Sequence, residues 1–146
     1  MRTHLIVANQ TLLGEVLRSE VLRRLEAGPA RFHVVVPATP IVGRFTWDEE
    51  TAFAAARDRL NAGITWLLSL GADADGEVGD RDPIQAVRDA IRRTPADEIV
   101  LSTLPAGRSR WLGQDVPSRM RDAVGIPVTV VTQRRDSAVV GVVVRP

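Results

Sequence analysis

Cysteine, lysine and tyrosine are all absent from this chain. Without thiols there is no disulfide, no thiolate metal site and no cysteine nucleophile. All 19 basic side chains are arginine, which excludes Schiff-base chemistry and a catalytic lysine. It also excludes a phosphate loop of the G-x-x-x-x-G-K-[ST] type. His4 and His33 are the only imidazoles, too few to build a zinc or iron cluster. Aromatic residues make up 4% of the sequence, and the scattered Trp47, Trp66 and Trp111 leave little to sandwich a flavin. No window approaches the roughly 20 apolar residues of a membrane helix. The opening MRTHLIVANQ has neither the apolar core nor the cleavage site of a signal peptide. The expected compartment is the cytoplasm, with no membrane partner. A formal net charge of +1 gives no electrostatic footprint for nucleic acid.

What is present describes one ordinary globular domain. The 146 residues are 45% hydrophobic and 25% charged, and that length can bury a sizeable core. His4 to Ala8 and Phe32 to Val36 are short apolar runs that predict buried strands. Between them, Leu13, Leu17, Val21 and Leu25 recur at four-residue steps and predict an amphipathic helix, stopped by Gly28 and Pro29. Pro37 to Phe45 predicts a loop. Thr46 and Glu49 form a capping-box pattern ahead of a long helix carrying Phe53, Ala56, Leu60, Ile64 and Leu67, with Gly71 at its end.

Ala74 to Val78 predicts a weaker strand, broken by Asp75 and Gly76. Asp82 and Pro83 suit the cap and first position of a third helix, whose apolar face is Ile84, Val87 and Ile91. Glu98 to Leu101 predicts a fourth strand, and Leu104 to Asp115 a loop rich in Gly, Arg and Ser. Val116, Met120, Ala123 and Val124 mark a fourth helix, and Val128 to Thr132 a fifth strand. After a polar break at Gln133 to Ser137, residues 138–144 form a last apolar run. The chain thus divides into a domain at 1–133 and a strand-like tail at 134–146.

Alternating strands and helices imply an α/β fold with a parallel sheet and right-handed crossovers. Ligands of such sheets sit beyond the carboxyl ends of the strands, where strand order reverses. The loops to inspect are Asn9 to Thr11, Pro37 to Thr46, Gly79 to Asp82 and Ser102 to Gln114. The turn after the first strand, Asn9 to Gly14, has one glycine where a dinucleotide fold needs three. A phosphoacceptor domain would need an acid there and a lysine later. A G-x-S-x-G elbow is missing, and no nucleophile–base pair stands out, so the expected protein is not an enzyme. The loop holding Gly107, Arg108, Arg110, Trp111 and Gly113 precedes a helix and offers guanidiniums to an anion. Equally, it reads as a solvated basic loop with Trp111 tucked against a helix. Asp73, Asp75, Glu77, Asp80 and Asp82 lack the spacing of a calcium loop; a strand edge and a helix cap explain them. His4 and His33 read as packed or edge residues rather than ligands, and Trp66 as core or dimer packing.

The pattern resembles the universal stress proteins. Leu5 to Ala8 with its polar turn resembles their first strand. Glu77 to Pro83, with Ile84 and Ala86, resembles their third strand and helix start. Asp97 to Ser102 resembles their fourth strand. Trp111 to Gly113, followed by a helix and then Ile126 to Val131, resembles their close. The resemblance covers residues 3 to 132. It implies a Rossmann-like, three-layer αβα sandwich with five parallel strands in the order 3-2-1-4-5, and a homodimer, often through the fifth strand.

Some members of that family bind ATP or AMP through an acid after strand one and a glycine-rich phosphate loop after strand four. Here Asn9 and Gln10 replace the acid. Ser102 and Pro105 fall where loop glycines belong, Gln114 replaces the final Ser/Thr, and Asp115 adds negative charge. The resemblance therefore implies a degenerate adenine-nucleotide site. Ala8, Asn9, Gln10, Val36 and Pro37 would meet adenosine, and Gly107, Arg108, Arg110, Gly113 and Gln114 would face phosphate. The alternative is a dimeric interaction module that binds no nucleotide and works through the uncharged run at 139–144.

Overall fold

A computed structural model describes residues 1–38, 49–105, 110–133 and 139–145. The strands are β1 (Arg2–Val7), β2 (Ala30–Pro37), β3 (Asp73–Gly79), β4 (Glu98–Thr103), β5 (Val128–Gln133) and β6 (Val139–Arg145). The helices are α1 (Glu15–Ala27), α2 (Glu49–Ser69), α3 (Pro83–Arg93), the single turn α4 (Arg110–Gly113) and α5 (Val116–Val124). One sheet has the order β3-β2-β1-β4-β5-β6. The first five strands are parallel, in the expected 3-2-1-4-5 arrangement. β6 turns back antiparallel on β5.

Side chains alternate across each strand, and this splits the core in two. Ile6, Phe32, Val34 and Val100 pack with Val16, Leu17 and Val21 of α1 and with Ala56, Leu60 and Leu67 of α2. Leu5, Val7, Val35, Ile99 and Leu101 pack with Val87 and Ala90 of α3 and Met120 of α5. Helices α1 and α2 therefore cover one face, and α3 and α5 the other. Strand order reverses between β1, which leads to α1, and β4, which leads to the opposite layer. A crevice between those two connections follows from the topology.

Local signals set most boundaries. Asp82 accepts a hydrogen bond from the Ile84 amide at 3.0 Å, with Pro83 at the first helical position. Gly71 has φ +86° after α2, and Gly125 has φ +67° after α5; both take the left-handed conformation that glycine adopts without strain. The predicted start of α2 at Thr46 lies outside the described residues, as does most of the predicted loop before it.

Several expectations need correction. Leu13 does not belong to the buried stripe of α1. The helix begins at Glu15, and Leu13 is 55% exposed while Leu12 is 2% exposed. The turn after β1 runs two residues longer than four-residue periodicity suggests. The segment 104–115 is not loop throughout, because α4 stands within it. Trp111 of α4 is buried in the second core cluster, so an apolar anchor folds a turn that composition assigns to solvent. β3 is not broken at Asp75 and Gly76 but pairs continuously with β2 from Asp73 to Gly79.

That strand explains the acidic stretch. The His33 ring meets two acids, with Nδ1 2.7 Å from Asp75 and Nε2 2.9 Å from Glu77. Arg31 bonds Asp75 at 3.0 Å, and Arg93 reaches Glu77. Burial alone would raise the Asp75 carboxyl, but the His33 and Arg31 contacts outweigh it and hold it below its ordinary value. β3 ends the sheet, and acids on an edge strand discourage pairing with another chain.

Candidate functional site

The carboxyl ends of β1, β2, β4 and β5 converge above the strand-order reversal. Ala8 is fully buried, and its amide donates to the Val35 carbonyl at 3.3 Å. Asn9 follows, half-buried. Its Nδ2 donates to the Pro37 carbonyl at 3.0 Å, and its Oδ1 accepts from Arg59 of α2 at 2.6 Å. α2 has 21 residues, a span of about 30 Å. Arg59 sits midway along it, level with the end of β1. The β1–α1 turn lies against the same helix: a Cβ on Gly63 would stand 2.5 Å from the Leu12 side chain. Gly63 is needed there for close packing.

Two further contacts close the crevice floor. The Thr11 and Ser102 hydroxyls bond each other at 2.6 Å, buried across the β1–β4 reversal. Gln133, at the end of β5, accepts the Val16 amide on Oε1 at 2.8 Å. That amide belongs to the first turn of α1, whose free N–H groups would otherwise attract an anion. A neutral side-chain oxygen already holds it. Gly14 accommodates this arrangement, since a Cβ there would come within 3.0 Å of Gln133.

The residues expected at a site divide accordingly. Asn9 and Pro37 are brought together, with Ala8 beneath them. Gln10 is exposed at the rim. The Val36 side chain is in the α1–α2 core, so only its backbone faces the strand ends. Arg110 opens α4. Gly113 and Gln114 are exposed, and the Gln114 amide is spent on the Trp111 carbonyl at 3.2 Å. A Cβ on Gly113 would meet nothing within 4 Å, so nothing described there requires a glycine. Asp115 takes a left-handed conformation at φ 54°, which short acidic side chains tolerate. Gly107 and Arg108 lie outside the described residues.

Sequence reasoning did not single out Arg59, Thr11 or Gln133, and it named Ser102 only as standing where a loop glycine belongs. Thr11 falls within a loop flagged for inspection, which was the available signal. Arg59 had none, because one arginine on a helix with other charged residues resembles any solvated position. Gln133 read as a polar break but is buried. Among the described residues no group of three or more His, Asp or Glu is placed to hold a metal, and no helix is long and apolar enough to cross a membrane.

This fold, with five parallel strands in the order 3-2-1-4-5, is that of the universal stress proteins. A universal stress protein family structure from Burkholderia pseudomallei matches 88% of this chain and 94% of its own, with TM-score 0.58 and 15% identity. A universal stress protein family protein from Arabidopsis thaliana, solved with AMP bound, matches 93% of this chain and 94% of its own, with TM-score 0.58 and 12% identity. A 4-carboxy-2-hydroxymuconate hydratase from Pseudomonas putida shares the fold less closely, with TM-score 0.51 and 14% identity over 90% of this chain and 65% of its own. No family model matches the sequence, and no curated protein does.

Proposed function

We propose that this chain is a non-catalytic regulatory protein of universal-stress-protein type that binds an adenine nucleotide weakly at the switch-point crevice. The observation that carries this reading is the convergence of the Asn9 amide, the Pro37 carbonyl and the Arg59 guanidinium at the end of β1. They are bonded to one another, so a base or ribose binding here would exchange one of these bonds for its own, with the Arg59 guanidinium beside it. The phosphate end of the crevice is less suited. The first turn of α1 is capped by Gln133, and Ser102 is bonded to Thr11. The residues therefore fit an adenosine carrying a short phosphate better than a triphosphate. Arg108 and Arg110 are the further cations this reading assigns to the phosphate. Stress response, a cytoplasmic location and a homodimer belong to the same reading.

A ligand selective for the native state raises the melting temperature. AMP is expected to raise it, and to do so at lower concentration than ATP. Asn9→Leu with Arg59→Gln should abolish the shift, and Arg108→Ala with Arg110→Ala should weaken it. No shift with millimolar AMP overturns the reading.

A second reading, an interaction module that binds no nucleotide, draws on β6. The sequence at 139–144 has β character and no charge, and β6 is the last strand of the sheet. Its antiparallel pairing covers β5, the strand through which the resemblance implies a dimer. On this reading a second copy adds to β6. Light scattering of the intact chain tests it, with a two-chain mass expected and a one-chain mass overturning it.

A further inference from the structure

The opposite end of the sheet carries a second polar constellation that the crevice does not use. At the amino ends of β1, β2 and β4 lies an open cleft of about 290 Å³, lined by Arg2, His4, Arg23, Arg24, Glu98 and the α1–β2 turn at Gly28 and Pro29. This volume is near the lower end of the roughly 300–1,000 Å³ usual for small-molecule sites. Buried ionic groups contribute little net stability compared with apolar residues of the same size. A dense cluster of them therefore asks for an explanation.

His4 is the key group. Its side chain is 5% exposed, and Nδ1 donates to Glu98 at 2.7 Å. Its ring stacks on Phe32 with centroids 5.3 Å apart. Glu98 and Phe32 thus fix both the ring plane and the tautomer. No described residue bonds Nε2. That leaves a nearly buried ring nitrogen, held in place, on a side chain lining the cleft.

The carboxylates behind it are already matched. Arg24 bonds Glu98 through Nε and, at 3.2 Å, through a terminal nitrogen, and bonds Glu20 at 2.8 Å. Thr129 gives Glu98 a further bond at 3.1 Å. Arg24 also bonds the Glu20 carbonyl at 2.9 Å, and it stands in the last turn of α1, where a cation offsets the negative helix end. Arg23 bonds Glu20 through one nitrogen at 2.6 Å, and its side chain is 64% exposed. Three guanidiniums, those of Arg2, Arg23 and Arg24, line this cleft with one carboxylate, Glu98. The Glu20 and Asp97 carboxylates stand close by, on Arg24 and on the Thr3 amide. The cations at the rim are Arg2 and Arg23.

We infer that this cleft is a binding site for a small phosphate group carrying a proton. Its oxygens accept from Arg2 and Arg23, and its O–H donates to His4 Nε2. Hydrogen phosphate and a phosphomonoester monoanion both offer that combination; an ionised carboxylate or sulfate offers the charge without the O–H. This site is separate from the crevice and does not depend on nucleotide binding there.

With two histidines in the chain, ring NMR signals read the site directly, and His33 on the opposite face of the sheet serves as an internal control. The intact protein is titrated with inorganic phosphate, with glycerol 3-phosphate and with sulfate. Expected is a saturable movement of the His4 signals with the phosphates, a much smaller one with sulfate, and none at His33. The exposed-rim variant Arg2→Gln with Arg23→Gln should weaken the phosphate affinity about tenfold or more, the loss expected for charge-assisted bonds. Tighter binding of glycerol 3-phosphate supports a phosphomonoester as the ligand, and equal or weaker binding supports free phosphate. The inference is overturned if His4 does not respond to either phosphate, responds to sulfate equally, moves together with His33, or keeps its affinity in the variant.

Discussion

Replacing Glu98 by alanine is expected to lower the unfolding free energy by about 3–5 kcal/mol, read from urea denaturation near neutral pH. The carboxylate accepts from His4, from two nitrogens of Arg24 and from Thr129. The Arg24 side chain is 10% exposed and the His4 side chain 5%, so water replaces the lost carboxylate only in part. Losing the carboxylate leaves a nearly buried guanidinium with Glu20 as its remaining partner. Burial would lower the Arg24 pKa, and Glu98 and Glu20 together outweigh that and raise it. Glu98→Gln should cost less, because it keeps the shape and one acceptor oxygen.

The same site predicts an acid limb in the stability curve. Burial alone would raise the Glu98 carboxyl, but the hydrogen bonds from His4 and Arg24 outweigh it and hold it at about 2, against an ordinary 4.5. A carboxyl depressed in the folded state binds fewer protons than it does in the unfolded chain. Its contribution is fully present above about pH 4.5 and is lost as pH falls toward 2. That gap corresponds to about 3 kcal/mol. Asp75, also held below its ordinary value, adds loss of the same sign. The limb should be clearly shallower in Glu98→Ala, and an acid limb unchanged in that variant would contradict the assignment.

Gly76→Val is expected to cost about 3 kcal/mol, the upper end of the range for overpacking a core. A Cβ at Gly76 would stand 2.5 Å from the Val34 carbonyl oxygen and 2.7 Å from Leu60. The carbonyl is backbone and cannot rotate away. Either β2 or α2 must shift, and both position the Asn9–Pro37–Arg59 convergence. The variant should therefore lose stability in urea and, on the proposed reading, lose its thermal response to AMP. Gly63→Ala should cost less, since the atoms it meets belong to Leu12, a side chain. Equal losses in the two variants would mean that backbone rigidity at Gly76 is not what matters.

Gly76 also shows where sequence reasoning stops. A glycine among acids lowers any strand propensity, so the segment reads as weak and broken. The structure makes it a continuous edge strand because His33, Arg31 and Arg93 satisfy the acids and because α2 packs where a side chain would be. Those partners are 16 to 44 residues away in sequence. Trp111 carries the same lesson with the sign reversed. One buried aromatic folds α4 inside a stretch whose glycines, serines and arginines all argue for loop.

The candidate site was legible in its location and not in its chemistry. Strand alternation put it at the carboxyl ends of the strands, and Asn9 and Pro37 do meet there. Position in a loop could not show that Asn9 is already bonded to Pro37, or that Gln133 caps α1 from 117 residues away. Such bonds decide whether a polar group is open to a ligand. They depend on distances between segments that share no local pattern.

The absences with which the sequence opens determined the limits by themselves. Without cysteine or lysine, whole classes of covalent and thiolate chemistry are closed whatever the fold. Periodicity and turn residues determined the alternating strands and helices, because those signals act over a few neighbouring residues. Tertiary structure alone decided the rest. It put two histidines into separate carboxylate networks on opposite faces of one sheet, leaving one imidazole nitrogen of His4 without a partner among the described residues. It also folded the tail back onto β5. Burial and hydrogen-bond pairing are properties of the packed chain, and residues far apart in sequence supply both.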